Sequence, residues 1–389
     1  MNALLWFLIP VAAVCGWLVA RHASRNEPDE HLDAGLRADY FKGIDYLLNE
    51  QQDKALDVFI KVLEVDTSTA ETHLALGNLY RRRGEVDRAI RIHQNLVARS
   101  ELDESRRVEA LLELGHDYQS AGLLDRAEDL FRELVHGQHY VVQALRQLID
   151  IYEQEKDWQK AVDAAHELER QTGNALGAVI AHYWCELAEK ARGYGDVALA
   201  QTHLSAALKA YAGCVRASIL RGDLLFDAGD SAGALEAYQQ VEQQDRDYLP
   251  EIIERLLKTA QSASVKSDLI KYLHHIVARY GGISATLALA ELTEREAGRS
   301  AAAAFMTEQL RKRPTIRGFD RLLALEAHTE ASEASSHARM LQVLIEQLMV
   351  NRPAYKCGHC GFPARLLHWQ CPGCKHWNTV KPIQGIEGE

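Results

Sequence analysis

The sequence predicts an all-α protein: a superhelical solenoid of repeated helix pairs, with a membrane-spanning helix near the N-terminus and a small four-cysteine metal knuckle near the C-terminus. The composition is the first reason. Only 8 of the 389 residues are proline and 8 are phenylalanine, while Ala, Leu, Glu, Arg and Gln, which lose least on entering a helix, dominate. Two further reasons are a repeated pattern of small and aromatic residues and the unusual composition of both ends.

The repeated pattern is clearest between residues 111 and 131, where it reads Leu111-x2-Leu114-Gly115-x2-Tyr118, then Ala127-x3-Phe131. It resembles the tetratricopeptide repeat, a helix–turn–helix unit of about 34 residues. Small residues let the two antiparallel helices approach closely, and aromatic residues fill the space between pairs. The positions equivalent to this glycine in successive copies are 43, 77, 115, 149, 188 and 222, of which 149 is isoleucine and 188 is alanine.

Turn signals separate the predicted helices. Glycine is expected to end one helix and aspartate to cap the next. The four clearest signals are Arg83–Asp87, Ala121–Asp125, Glu155–Asp157 and Ala228–Asp230.

The pattern fades after Pro250. Two degenerate helix pairs are predicted at Ile252–Tyr280 and Ser284–Arg313, followed by one or two closing helices at Ile316–Val350. Eight or nine hairpins would stack into a curved solenoid whose concave face suits a peptide or a partner helix. The apolar positions predicted for the closing helices are Leu322, Leu325, Met340, Leu344, Ile345 and Leu348.

The segment Ala3–Ala20 contains no charged residue. As a helix it would be about 27 Å long, which matches the hydrocarbon core of a bilayer. Trp6 and Trp17 suit the membrane interface, and Arg21 and Arg25 place the rest of the chain in the cytoplasm by the positive-inside rule. A cleaved signal peptide fits less well because no basic side chain precedes the apolar stretch. A buried soluble helix is the other alternative.

Four cysteines form two tight pairs near the C-terminus: Cys357-x2-Cys360 and Cys371-x2-Cys374. Each short loop can aim two sulfurs at one point, as a tetrahedral all-sulfur metal site requires. The ten intervening residues favour a minimal ribbon or a rubredoxin-like knuckle over a larger finger. Zinc is expected rather than iron, since cytoplasmic four-cysteine sites are commonly structural, although the sulfur geometry permits either metal.

Structural disulfides would suit a secreted chain, and a thioredoxin-like redox pair needs a βαβ surround that the sequence does not predict. Cys15, Cys185 and Cys214 are expected to be ordinary small hydrophobic residues. Three histidines near the site are expected to lie around it or on the surface rather than to bind the metal: His359, His368 and His376.

The cysteine-bearing segment is too short for a self-sufficient apolar core, so metal binding is expected to supply its folding free energy. Its large apolar side chains would pack around the knuckles or, as we expect, against the last helix pairs of the solenoid. These side chains are Phe362, Leu366, Leu367, Trp369 and Trp377.

The formal net charge of −11 argues against a general nucleic-acid-binding protein, which needs a basic surface. The sequence has no phosphate-binding glycine loop, H-E-x-x-H motif or nucleophile elbow. His274 and His275 are expected to be an exposed pair on a helix. The sequence therefore favours a non-enzymatic adaptor at a membrane surface.

The order of these parts, with the residues Cys357-Gly-His-Cys-Gly-Phe362, Trp369 and Cys371-Pro-Gly-Cys374, resembles the lipopolysaccharide assembly protein B (LapB) family over essentially the whole chain. The resemblance implies an inner-membrane protein that regulates lipopolysaccharide synthesis. It would present LpxC, the deacetylase of the committed lipid A step, to the membrane protease FtsH. It also implies a rubredoxin-type domain, packed on the repeats, with ligands at Cys357, Cys360, Cys371 and Cys374.

Other lipopolysaccharide synthesis or transport proteins are further expected partners, and a homodimer is compatible with the sequence. Two functional alternatives stay open: an electron-transfer protein with iron bound by the four sulfurs, and a general scaffold for envelope-assembly enzymes. The expected organisation is an anchor at 1–21, a linker at 22–34, tetratricopeptide repeats at 35–249, degenerate repeats and closing helices at 250–350, and a rubredoxin-type domain with a tail at 351–389.

Overall fold

The computed structural model describes residues 41–42, 44–46, 52–65, 70–259, 263–326, 333–349 and 352–389. The predicted anchor at 1–21 and linker at 22–34 lie outside the described residues, as does the first repeat position, Gly43. None of the helices in the described ranges is both long and apolar enough to span a membrane.

The described residues form seventeen α-helices, one 3₁₀ turn at Arg246–Tyr248 and three short strands. The helices are α1 (Gln52–Val65), α2 (Ala70–Arg82), α3 (Val86–Val97), α4 (Glu104–Ser120), α5 (Leu124–His136), α6 (Val141–Glu155), α7 (Trp158–Thr172), α8 (Gly177–Gly193), α9 (Val197–Ala210), α10 (Val215–Asp227), α11 (Ser231–Gln244), α12 (Leu249–Thr259), α13 (Ala263–Arg279), α14 (Ile283–Ala297), α15 (Arg299–Lys312), α16 (Ile316–Glu326) and α17 (Glu333–Met349). The strands are β1 (Tyr355–Cys357), β2 (Pro363–Ala364) and β3 (Val380–Pro382).

The chain divides into two compact units, Met1–Ile151 and Tyr152–Glu389. In the first unit α2 packs on α3 and α4 packs on α5; in the second, α8 packs on α9, α10 on α11, α14 on α15 and α16 on α17. Consecutive helices therefore pair as predicted. The degenerate pairs are present as α12–α13 and α14–α15, and the closing segment forms two helices.

Within several pairs, a glycine on the first helix faces a ring on the second. A Cβ added at Gly115 would lie 2.7 Å from Cε1 of Phe131, which is too close for an undisturbed contact. Gly222 faces the ring of Tyr238 in the same way. This contact explains why the pattern places a glycine sixteen residues before a ring, because glycine alone lets the two helices approach so closely.

Three of these first helices are followed by a glycine in the left-handed backbone conformation, as the turn signals predict. Glycine adopts positive φ without a steric penalty. The residues and their φ angles are Gly84 (83°), Gly122 (74°) and Gly229 (83°).

The predicted aspartate caps are confirmed at two turns and wrong at two others. Asp157 accepts from Lys160 N–H at 3.3 Å, and Asp230 accepts from Gly233 N–H at 2.9 Å. Asp87 and Asp125 instead lie inside the first turns of α3 and α5. The cap positions before these helices are held by Glu85 and Leu123, and each aspartate lies two residues later, so these carboxylates act on the helix dipole rather than as caps.

In the first unit, His93 occupies the position at which the repeat pattern has phenylalanine. It is fully buried, and its Nδ1 lies 2.5 Å from Oδ2 of the equally buried Asp117. Oδ1 of Asp117 accepts from Arg81 Nη1 at 2.7 Å. A buried carboxylate with two such partners is fully hydrogen-bonded, so His93 is a structural core histidine.

The closing helices differ in what they bury. Leu325 is buried, but Met340 and Leu344 are 63% and 44% exposed. The apolar positions of α17 are thus partly exposed, as suits a helix in the last pair of the described chain.

We expect Gly115→Ala to lower the free energy of unfolding by about 1–3 kcal/mol, because the new methyl group overpacks the contact with Phe131. Urea denaturation followed by far-UV circular dichroism measures this. Gly193→Ala is the matched control, since a Cβ at Gly193 meets open space. Equal denaturation midpoints for the two variants would contradict the close-approach explanation.

Candidate metal centre

The residues after α17 fold into a small ribbon. Its three antiparallel strands are ordered β2-β1-β3, with Tyr355 opposite Ala364 on one side and Cys357 opposite Val380 on the other. A single bridge between Gln370 and Trp377 closes the second turn. We call residues 355–382 the ribbon.

Two turns of the ribbon bring the four cysteines together. Cys357 ends β1 and Cys360 lies in the turn that follows it, while the second pair lies in the turn between Gln370 and Trp377. Sγ of Cys357 is 3.8 Å from Sγ of Cys374, and Sγ of Cys360 is 3.6 Å from Sγ of Cys371. All four sulfurs lie within 4.8 Å of one another.

These distances fit a tetrahedral metal site. Metal–sulfur bonds of about 2.3 Å place two ligands of a tetrahedron about 3.8 Å apart. Both measured sulfur pairs lie close to that value. The donor set is purely sulfur, which suits zinc or iron. The four cysteines thus form a rubredoxin-like metal site, in which a bound ion would hold the two turns together.

Local hydrogen bonds favour a thiolate at the centre of this cluster. Burial opposes ionisation of Cys357, but Thr379 Oγ1 at 3.3 Å and the amide of Cys360 at 3.5 Å outweigh it and lower the pKa of the Cys357 thiol to about 5. The amide of His376 favours the thiolate of Cys374, yet burial and the neighbouring sulfurs raise the pKa of Cys374 to about 12. Several thiolates this close together need a cation for compensation.

Two of the three nearby histidines lie at the exposed edge of the site. The rings of His359 and His376 stack with centroids 3.9 Å apart, and His376 Nδ1 is 2.9 Å from the carbonyl oxygen of Cys374. Both are exposed and His368 is half-buried. The four thiols form one cluster of possible ligands, and His359 and His376 form a second with Cys374.

The ribbon docks on the repeat helices through two tryptophans. The ring of Trp377 stacks on His182 of α8 at 5.1 Å and meets Tyr183 edge-on at 5.9 Å. The ring of Trp369 stacks on Tyr248, in the 3₁₀ turn, at 5.4 Å. Aromatic pairs at these distances add about 0.5–1.5 kcal/mol each beyond burial.

Glu153, near the end of α6, accepts hydrogen bonds from both sides of this interface, the ribbon and α8. Its Oε1 accepts from Trp377 Nε1 at 2.8 Å and from Tyr183 Oη at 2.6 Å, and its Oε2 accepts from Gln370 Nε2 at 2.9 Å. Hydrogen bonds to a charged acceptor are worth about 1.5–3 kcal/mol each. Glu153 therefore links the ribbon to the repeat helices at the point where the half-buried Trp377 packs.

A second polar cluster fixes the other edge of the ribbon. Lys381 Nζ donates to Asp245 at 2.8 Å and to Asp247 at 2.9 Å. Tyr248 Oη lies 3.1 Å from the carbonyl oxygen of Val380, and Tyr355 Oη donates to Glu251 at 2.7 Å. Burial, followed by the nearby carboxylates, raises the pKa of Tyr248, so it stays a neutral hydroxyl.

Beneath the tryptophans the imidazole of His182 is buried and neutral. Burial, and then the charge of Arg216, lower the pKa of His182 to about 3. Arg216 is itself buried, donates to Glu186 at 2.9 Å and Glu189 at 2.5 Å, and lies 6.0 Å from the ring of Trp369. A neutral ring can stack on Trp377 without the cost of a desolvated charge.

The predicted docking of the ribbon on the helices is confirmed for Leu367, Trp369 and Trp377, and Phe362 packs at the knuckle. It is wrong for Leu366, which is 73% exposed. The location also differs, because the tryptophans contact α7, α8 and the 3₁₀ turn rather than the last helix pairs. The rings on those middle elements that contact the tryptophans are Trp158, His182, Tyr183 and Tyr248.

Sequence reasoning missed Glu153, His182 and Tyr248 as docking residues. No local pattern marks them, since each contacts a side chain more than a hundred positions away. Cys185 and Cys214, expected to be ordinary small hydrophobic residues, are buried, and their sulfurs lie 3.8 Å apart. Cys15 lies outside the described residues. His274 and His275 are exposed on α13, as expected.

Paired helices and a docked four-cysteine ribbon define a tetratricopeptide-repeat protein that carries a rubredoxin-type metal-binding domain. Family profiles agree: one described as "Tetratricopeptide repeat" matches residues 112–175 and 185–248, and one described as "Rubredoxin metal binding domain" matches residues 355–382. A solved tetratricopeptide repeat protein from Parabacteroides merdae aligns with 79% of this chain and 98% of its own, at 11% identity and a TM-score of 0.33.

Two curated relatives match the chain throughout. Lipopolysaccharide assembly protein B of Escherichia coli K12 is 38% identical over 100% of both chains. The protein of the same name from Haemophilus influenzae is 32% identical, again over 100% of both. The chain therefore belongs to the lipopolysaccharide assembly protein B family.

We expect Glu153→Ala to loosen the ribbon, because it removes three hydrogen bonds to a charged acceptor, each worth about 1.5–3 kcal/mol. Tryptophan emission should shift to the red, and limited proteolysis should cleave within the ribbon sooner. Gln154→Ala, at an exposed neighbouring position, is the matched control. Identical emission and cleavage rates in the two variants would show that Glu153 does not hold the interface.

We expect chelation of the bound metal to unfold the ribbon while leaving the helices formed, because so short a segment depends on metal for folding. One metal ion per chain should be released, tryptophan emission should shift to the red, and the helical circular dichroism signal should persist. Returning the metal should restore the emission. Unchanged emission after complete metal loss would contradict metal-dependent docking.

Proposed function

We propose that this protein is a non-enzymatic inner-membrane adaptor that presents the deacetylase LpxC to the membrane protease FtsH and so regulates lipopolysaccharide synthesis. The full-length match to proteins named for lipopolysaccharide assembly carries the proposal. Resemblance to that family implies the particular client and protease. Other lipopolysaccharide synthesis or transport proteins are further proposed partners.

The repeat fold supports a role in holding partners. Stacked helix pairs provide extended surfaces for protein recognition. The described part of α17 adds a group of exposed apolar side chains, which suits a protein partner better than water. This group comprises Met340 (63% exposed), Leu341 (46%), Val343 (51%) and Leu344 (44%).

The proposed metal ligands are Cys357, Cys360, Cys371 and Cys374, and the proposed metal is zinc. When bound, zinc would supply folding free energy rather than redox chemistry. The two docked tryptophans support this structural role. By ordering the turns that carry them, metal binding would hold the ribbon against the repeat helices. Metal analysis distinguishes the alternative, because a coloured iron protein with reversible redox behaviour would support electron transfer.

The proposed anchor at residues 1–21 would confine the adaptor to the plane of the membrane protease, with the bulk of the chain cytoplasmic. A tether of this kind raises the effective concentration of any client that the repeats also bind. The proposed organisation is otherwise the one predicted from the sequence: repeats at 35–249, degenerate repeats and closing helices at 250–350, and the metal-binding domain from 351.

We expect deletion of residues 1–21 to raise LpxC levels, because the soluble part can bind its client but no longer brings it to FtsH. Pulse–chase labelling of LpxC in cells carrying the deletion measures its half-life. Replacement of residues 1–21 by an unrelated single membrane-spanning segment is the matched control and should restore rapid turnover. An unchanged half-life in the deletion strain would count against delivery by tethering.

A further inference from the structure

The segment after the ribbon, residues 383–389, lies against the N-terminal end of α14 and the start of α16. We call it the strap. Ile383 N–H donates to the carbonyl oxygen of Ala354 at 2.9 Å, and Ile316 N–H donates to that of Ile386 at 2.9 Å. The strap closes on itself through Glu389 N–H, which donates to the Ile383 carbonyl at 2.9 Å. It therefore presents Glu389 to the helices.

The Glu389 carboxylate occupies a site built for an anion. Its Oε2 accepts from Ser284 N–H at 3.1 Å, and its Oε1 accepts from Arg317 Nη1 at 2.7 Å and from the Ser284 hydroxyl. Ser284 is in the first turn of α14, where backbone N–H groups and the helix dipole favour negative charge. The Glu389 side chain is only 8% exposed.

Open space with basic side chains flanks this site. A cleft of about 350 Å³ beside Glu389 is lined by Arg246, Arg279 and Arg313, and by Asp247. A second cleft, of about 650 Å³, also borders the strap and has a mixed lining of Arg255, Arg317 and Arg352 with Glu251 and Glu254. The strap thus fills part of a larger groove. Three arginines beside one cleft are notable in a chain of net charge −11, since they provide a local attraction for acidic groups.

The strap itself is weakly covered. Ile386 is 63% exposed, and Glu387 is 54% exposed even though it pairs with Arg352. Besides its backbone hydrogen bonds, the strap is held in place by the buried carboxylate of Glu389. An occupant held this way can be displaced by a competing carboxylate.

We propose that this groove binds a glutamate-bearing acidic peptide segment of a partner protein, and that the strap is an internal occupant that competes with it. The partner's carboxylate would take the place of Glu389 between Ser284 and Arg317, and its flanking acidic residues would lie in the cleft that carries Arg246, Arg279 and Arg313. The proposal stands apart from delivery to FtsH, because it concerns binding by the purified chain rather than the turnover of a client.

Fluorescence anisotropy with the full-length protein in detergent tests this. The probe is a labelled peptide of residues 381–389, KPIQGIEGE, which contains the strap, and its control is the same peptide ending in Gln. We expect Glu389→Gln in the chain to strengthen binding of the Glu peptide at least about ten-fold, because the site becomes free when its occupant loses its charge. The Gln peptide should bind more weakly than the Glu peptide, and added salt should weaken binding of the Glu peptide.

A second substitution in the Glu389→Gln background locates the site. Arg317→Gln should abolish binding of the Glu peptide. Arg311→Gln is the matched control, since Arg311 is exposed on α15, and it should leave binding unchanged. Gly388→Ala should release the strap by another route, because the Ile383 carbonyl leaves no room for a Cβ there.

Equal affinity of the unchanged and Glu389→Gln chains for the Glu peptide would overturn the proposal. Equal affinity for the Glu and Gln peptides, or binding to none of the variants, would overturn it as well. Circular dichroism of each variant confirms that the helices are formed, so that a loss of binding reports on the groove. Client half-life in cells is measured separately and bears only on delivery.

Discussion

Packing of the half-buried Trp377 against α8, with its indole N–H donating to Glu153, is the interaction on which the position of the ribbon depends. Indole buried without a hydrogen-bond acceptor would leave a costly unsatisfied donor. Glu153 meets this need and simultaneously accepts from Tyr183 and Gln370. One carboxylate therefore joins a repeat helix, its neighbour and the ribbon, so the position of the ribbon is set by hydrogen bonds as well as by apolar packing.

The ribbon and the helices support each other because neither surface is complete alone. Residues 355–382 bury only a small cluster of their own around Cys357, Ala364, Cys371 and Val380. The rings of His182 and Tyr248 would in turn be uncovered without the two tryptophans. Metal binding would order the turns that carry those tryptophans. The four thiols thus influence a surface well beyond the sulfur cluster.

The sequence could predict those features whose causes are local. Gly115 and Phe131 are sixteen residues apart on adjacent helices, so their contact repeats with the chain and appears as a pattern. The two Cys-x2-Cys turns likewise carry their own geometry. The bond between Glu153 and Trp377 joins residues 224 positions apart, and no periodicity connects them. The place of docking therefore could not be inferred from residue types, although docking itself could.

Local rules also failed where the aspartate falls two residues beyond the cap position. Asp157 directly precedes α7 and caps it, whereas Asp125 follows the start of α5 by one residue and cannot. The residues that precede the two helices have nearly the same backbone, with φ and ψ of −85° and 64° at Leu123 and −84° and 75° at Asp157. Capping depends on the aspartate lying just before the first turn, and residue composition alone does not fix that position.

The strap connects docking of the ribbon to the last helix pairs. It begins directly after β3, and its first residue, Ile383, donates to Ala354, which precedes β1. Lys381 fixes the same edge to Asp245 and Asp247. Glu389 reaches Ser284 and Arg317 only because the ribbon holds the chain at this edge. Release of the tryptophans would therefore remove the support of the strap. Through these contacts, the metal site is connected to the docking surface and to the basic groove.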